Sequence, residues 1–61
     1  MLKELRKVRR LRGFTQEELA IKIGLKQSVF SKKENGHVNF TIEEARRLAE
    51  ILEADISVFF K

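Results

Sequence analysis

TQEELAIKIG, residues 15–24, runs directly into LKQSVFSKKENG, residues 25–36. Two short helical patterns meet here across one Gly-containing turn. The first opens at Thr15, and Glu18 three residues on gives the spacing of a capping box, in which the two residues cap each other. Phe14 stands where an apolar staple residue belongs. Leu19, Ala20 and Ile23 face inward, Ile21 lies off that stripe at an edge, and Gly24 stops the helix. The second pattern covers about residues 27–34, with Phe30 as its core residue. It ends at Asn35-Gly36, a pair suited to a left-handed backbone turn. Gln27, Ser28, Ser31 and Lys32 stand at i, i+1, i+4 and i+5, so they share one side of the helix while Phe30 points away. Val29 lies at the edge between the two sides.

Outward from this pair the chain stays helical. It has no proline and three glycines, Gly13, Gly24 and Gly36, each placed where a helix would stop. A first helix over about residues 2–12 carries Leu2, Leu5, Val8 and Leu11 as its inward stripe. Lys3, Arg6, Lys7, Arg9 and Arg10 surround that stripe. A fourth helix starts after Thr41, which pairs with Glu44 as a second capping box. Ile42, Ala45, Leu48, Ala49 and Leu52 are expected on its buried face. Asp55 or Ser57 can cap a last short helical turn holding Ile56, Val58, Phe59 and Phe60. The expected fold class is all-α, one domain over residues 1–61, with short connections.

Size and composition narrow the functions open to such a domain. A chain of 61 residues buries only about 60% of its unfolded surface. With no cysteine and a single His37, neither a disulfide nor a structural metal is expected to help. No cofactor is expected. No apolar run exceeds three residues, so neither a membrane span nor a signal-peptide core is present. The absence of cysteine fits a cytoplasmic location. An enzyme is not expected: Ser28 and Ser31 have no His-Asp relay, and there is no Gly-rich phosphate loop, metal cluster or room for a substrate cavity. The net charge of +4 is unevenly spread. Residues 1–33 carry ten Lys or Arg against three Glu, a balance of +7, and residues 34–61 carry three against six, a balance of −3. The basic half favours a polyanionic partner.

The side chains on the polar side of the third helix suit the edges of base pairs. Gln bonds adenine in bidentate fashion, Ser uses either kind of base edge, Val touches a thymine methyl, and Lys reaches a base or a phosphate. Gln27, Ser28, Val29, Ser31 and Lys32 are therefore the candidate base-reading residues, with double-stranded DNA as the partner. A second set would grip the backbone: Gln16 at the first turn of the second helix, Lys26 before the third, Asn35 and His37 after it, and Arg10 and Arg12 from the first helix and its turn. Such contacts give affinity and salt dependence with little specificity.

Across Leu2 to Phe60 the chain resembles the helix-turn-helix domain of the phage repressor and Cro family, also called the xenobiotic-response-element family of bacterial regulators. The matching residues are Leu5-Arg6 with Arg9, Phe14 to Ala20, Gly24-Leu25, Gln27-Ser28, Phe30-Ser31-Lys32 and Glu34-Asn35-Gly36. Thr41-Ile42-Glu43 and the pattern from Leu48-Ala49 through Ile56 to Phe59 complete them. The resemblance implies a compact five-helix, lambda-repressor-like domain that binds operator DNA as a two-fold dimer, most simply as a repressor. It also implies that Gln16 touches a phosphate and braces Gln27. Three positions depart from the pattern. Lys26 replaces a usual Ser or Thr cap. Lys33 replaces a branched apolar residue, so that either its stem snorkels along the core edge or the core is locally thinner. Phe40 replaces a proline, so that its ring is expected to pack the loop.

Phe59 and Phe60 cannot both face one core, so one is expected to close the monomer and the other to form a homodimer interface. A competing reading makes the chain an antitoxin-like or partner-binding module that uses this C-terminal apolar end on a protein partner. Nonspecific nucleic-acid or RNA binding by the basic half is less well supported, because no aromatic stacking platform is present.

Overall fold

The computed structural model describes residues 2–58. Four α-helices follow one another: α1 (Lys3–Leu11), α2 (Gln16–Lys22), α3 (Gln27–Glu34) and α4 (Ile42–Leu52). A 3-10 turn, Ile56–Val58, comes after them. Both expected capping boxes form. The Glu18 N–H donates to Thr15 Oγ1 at 3.1 Å while the Thr15 N–H donates to Glu18 Oε1 at 2.9 Å. Thr41 and Glu44 exchange the same pair of bonds.

All four helices close alike. A backbone N–H just beyond each helix reaches back five residues, Phe14 to Arg9, Leu25 to Ala20, His37 to Lys32 and Ala54 to Ala49, at 2.8–3.0 Å. This closure needs a left-handed residue immediately before the donor. Three of the four sites have glycine, as at Gly24 (φ +79°), the turn between α2 and α3. The fourth has Glu53, at φ 53° and ψ 46°.

The core lies where the four helices meet. Leu5 of α1, Leu19 and Ala20 of α2, Phe30 of α3, and Leu48 and Leu52 of α4 are buried together with Ile23. Each fully buried Leu or Phe contributes about 1.5–3 kcal/mol of hydrophobic transfer. The Phe40 ring meets Phe30 edge-on, with centroids 5.8 Å apart and planes at 62°. The loop before α4 is thus packed by an aromatic side chain.

Four expectations need correction. The resemblance implies five helices, but among the described residues there are four α-helices and the fifth segment is a 3-10 turn. Its sequence explains this: Asp55 Oδ1 accepts the Ser57 N–H at 2.9 Å, and Ile56 and Val58 are β-branched, so a short tight turn competes well with an α-helix. Leu11, placed on the inward stripe, is 75% exposed, and Ile42, placed on the buried face of α4, is 74% exposed. Each sits at a helix end that projects past the core, where periodicity no longer reports burial. Arg9, placed among the charges that surround the inward stripe of α1, is buried at 6% exposure. It follows Leu5 by four residues and therefore shares the inner face; Glu34 makes that position tolerable. Phe59 and Phe60 lie outside the described residues.

Candidate nucleic-acid interface

Glu34 is the hub that sets the orientation of α3. It is the last residue of that helix and has 0% exposure. Its carboxylate accepts from Arg9 Nε at 2.8 Å and Arg9 Nη2 at 3.3 Å. Gln16 Nε2 donates to the same carboxylate at 2.8 Å, and Arg6 Nε stands 3.6 Å away. Arg9 Nη1 also donates to the Phe14 carbonyl at 2.9 Å. Among the described residues no buried side-chain nitrogen or oxygen lacks a partner. A carboxylate at a helix C-terminus opposes the helix dipole, so these guanidinium contacts are needed to keep it there. Together the contacts tie the inner flank of α3 to α1 and to the first residue of α2.

A second ion pair locks the same flank to α4. Lys33 is 8% exposed and donates through Nζ to Glu44 Oε1 at 2.6 Å. The ammonium lies 5.9 Å from the centroid of the Phe40 ring. Lys33 thus runs along the core edge to a carboxylate, and Glu44 serves both this bond and its capping box. Burial pushes the Glu44 carboxyl up, but the Lys33 ammonium and the Thr41 N–H outweigh that and hold it below its ordinary range.

With Phe30, Lys33 and Glu34 turned inward, the other side of α3 faces out. Gln27, Ser28, Val29 and Lys32 are exposed, and Ser31 is half-buried. Eight residues of α-helix are about 12 Å long, comparable to the width of the DNA major groove, about 12 Å.

The backbone-gripping candidates are distributed unevenly. Arg10, Gln16 and Gln27 line one open depression of about 670 Å³, together with Arg6 and Thr15. Glu17 also lines it. Lys26 is exposed at the N-cap of α3, and its side chain makes no hydrogen bond to that helix. Asn35 is half-buried; its Oδ1 accepts from Arg6 Nη2 at 2.7 Å and its Nδ2 lies 3.5 Å from Ser31 Oγ. His37 is exposed in the loop. Arg12 is directed elsewhere. Its Nε donates to the Leu52 carbonyl at 2.9 Å and Nη1 lies 4.0 Å from Glu53, at the end of α4. Gln16, expected to brace Gln27, has its hydrogen bond to Glu34.

A family model described as Helix-turn-helix matches residues 2–59. The chain belongs to the Helix-turn-helix family. Its resemblance to the phage repressor and Cro type is thereby upheld, and DNA is the partner of this regulatory Helix-turn-helix domain. No curated protein matches the chain. No helix among the described residues is long and apolar enough to cross a membrane.

Two features of this Helix-turn-helix domain escaped the sequence reading, the Glu34 hub and the Lys33–Glu44 pair. A signal existed for the first. Arg9 sits four residues after Leu5 on the inner face of α1, and a charge there implies a buried partner of opposite sign.

Proposed function

We propose that this domain is a sequence-specific transcriptional repressor that binds a palindromic operator as a two-fold dimer. The observation that carries the reading is the two-sided character of α3. Its inner flank is fixed by Glu34 and Lys33, and its outer flank presents Gln27, Ser28, Val29 and Lys32 to solvent. In this reading those four residues and Ser31 enter the major groove. Gln27 and Ser28, at the N-terminal end of the helix, meet base edges first. Arg10, Gln16, Lys26, Asn35 and His37 hold phosphates on either side. Arg12, engaged at the end of α4, is left out of that set.

One helix of eight residues reads only a few base pairs. A second copy on the opposite half-site supplies the remaining affinity, with half-site centres about 10 bp apart or a multiple of that. Repression needs nothing more than occupancy of DNA that polymerase also requires. Selection of bound sequences from a random duplex library tests the whole reading. It should yield paired inverted half-sites at that spacing. Gln27→Ala should weaken binding to the selected site by about 1–3 kcal/mol and relax preference at one base pair. Equal affinity of the wild type for every duplex at fixed salt would refute the proposal.

A further inference from the structure

The cationic side chains of this domain fall into two groups. Arg6, Arg9, Arg12, Lys33 and Arg47 each have a carboxylate within 4.0 Å. Lys22, Lys26, Lys32 and Arg46 have none among the described residues, and neither do Lys3, Lys7 and Arg10 of α1, all three of which are exposed. These last three stand at i, i+4 and i+7 of α1, which places them in one row on its solvent side. The row borders a shallow depression of about 380 Å³ lined by Lys3, Arg6, Lys7, Arg10 and Leu11. Arg6 and Arg10 also line the larger depression that holds Gln16 and Gln27. The unpaired row is therefore continuous with the candidate interface rather than separate from it.

We infer that Lys3 and Lys7 extend the DNA-backbone contact along α1, beyond the phosphates reached from the helix-turn-helix itself. The inference rests on the DNA-binding reading above. Charge complementarity and continuity commit the surface to the same duplex. Three unpaired cations over about 10 Å of helix face a polyanion that presents one charge per about 3.4 Å of axis on each strand. An exposed row of like charges repels itself, and a phosphate track relieves that repulsion.

The test is the salt dependence of binding to a mixed-sequence 30-base-pair duplex. Each lost phosphate contact lowers the slope of log affinity against log salt by about 0.9. The double variant Lys3→Gln with Lys7→Gln keeps helix-forming side chains at both exposed positions. It should reduce the slope by nearly two, so that the affinity lost between 50 and 200 mM salt shrinks by about tenfold. The double variant Arg46→Gln with Arg47→Gln removes the same charge from α4 and should leave the slope unchanged. An unchanged slope for the α1 variant overturns the inference while leaving the DNA-binding reading intact. Equal reductions in both variants also overturn it, because net charge alone then explains the effect. A wild type that does not bind the duplex overturns the inference and the DNA-binding reading together.

Discussion

Lys26 is the N-cap of α3, with extended backbone at φ −75° and ψ 149°, yet its ammonium side chain has no acceptor to offer the free N–H groups of the helix it precedes. A serine there would accept from an unpaired N–H of the first turn. Lys26→Ser should raise stability by about 0.5–1 kcal/mol in urea denaturation. It should also flatten the salt dependence of DNA binding by about 0.9 if the ammonium meets a phosphate. The two effects have opposite value for the protein, which gives lysine a reason to stay at a position where it caps poorly. Glu53 presents a second local conflict. Among the described residues it alone closes a helix in the left-handed region with a side chain attached, and its 4.0 Å pairing with Arg12 is solvent-exposed and weak. Glu53→Gly should stabilise the fold by about 0.5–1 kcal/mol, read as a higher denaturation midpoint with unchanged slope. The sequence offered no warning of this residue, because nothing in Leu52-Glu53-Ala54 has the composition of a stop signal. Gly13, Gly24 and Asn35-Gly36 announce theirs plainly.

Helix by helix, the parts fixed by neighbours in sequence were readable, and the parts fixed by distant partners were not. Thr15 with Glu18 and Thr41 with Glu44 are separated by three residues, so both capping boxes could be seen directly. The Arg9–Glu34 pair spans 25 residues, and periodicity left Arg9 outside the inward stripe because its partner is so distant in sequence. Leu11 and Ile42 failed for the complementary reason: the stripe was right, but the core ends before the helix does. Of the candidate site, the outward side of α3 followed from spacing alone, whereas the turning of Arg12 to Leu52 depends on where α4 ends. The same pair makes a stability prediction for α3. Glu34→Ala leaves Arg9 buried without its counter-charge and should cost about 3–5 kcal/mol in urea denaturation, a large part of the stability of a domain this small. Replacing both members, Arg9→Met with Glu34→Leu, should recover most of that loss.

Taken whole, the molecule depends on carboxylates that are more acidic when folded. Glu44 lies below its ordinary value of 4.5. Glu18 is lowered in the same way, chiefly by the backbone N–H of Thr15 and then by its hydroxyl. A carboxyl depressed on folding stabilises fully above its unfolded value and loses that contribution as pH falls through the folded one. Stability should therefore hold from neutral pH down to about 4.5 and decline below it. Glu44→Gln should be destabilised relative to wild type at pH 7, with the difference closing toward pH 3 in parallel denaturation curves. The division of α3 carries a last consequence. Among the described residues no side-chain hydrogen bond or ion pair holds Gln27, Ser28 or Lys32, whereas Lys33 and Glu34 are fully committed. The address such a protein recognises can then drift through its outer positions while the architecture that presents them is inherited unaltered.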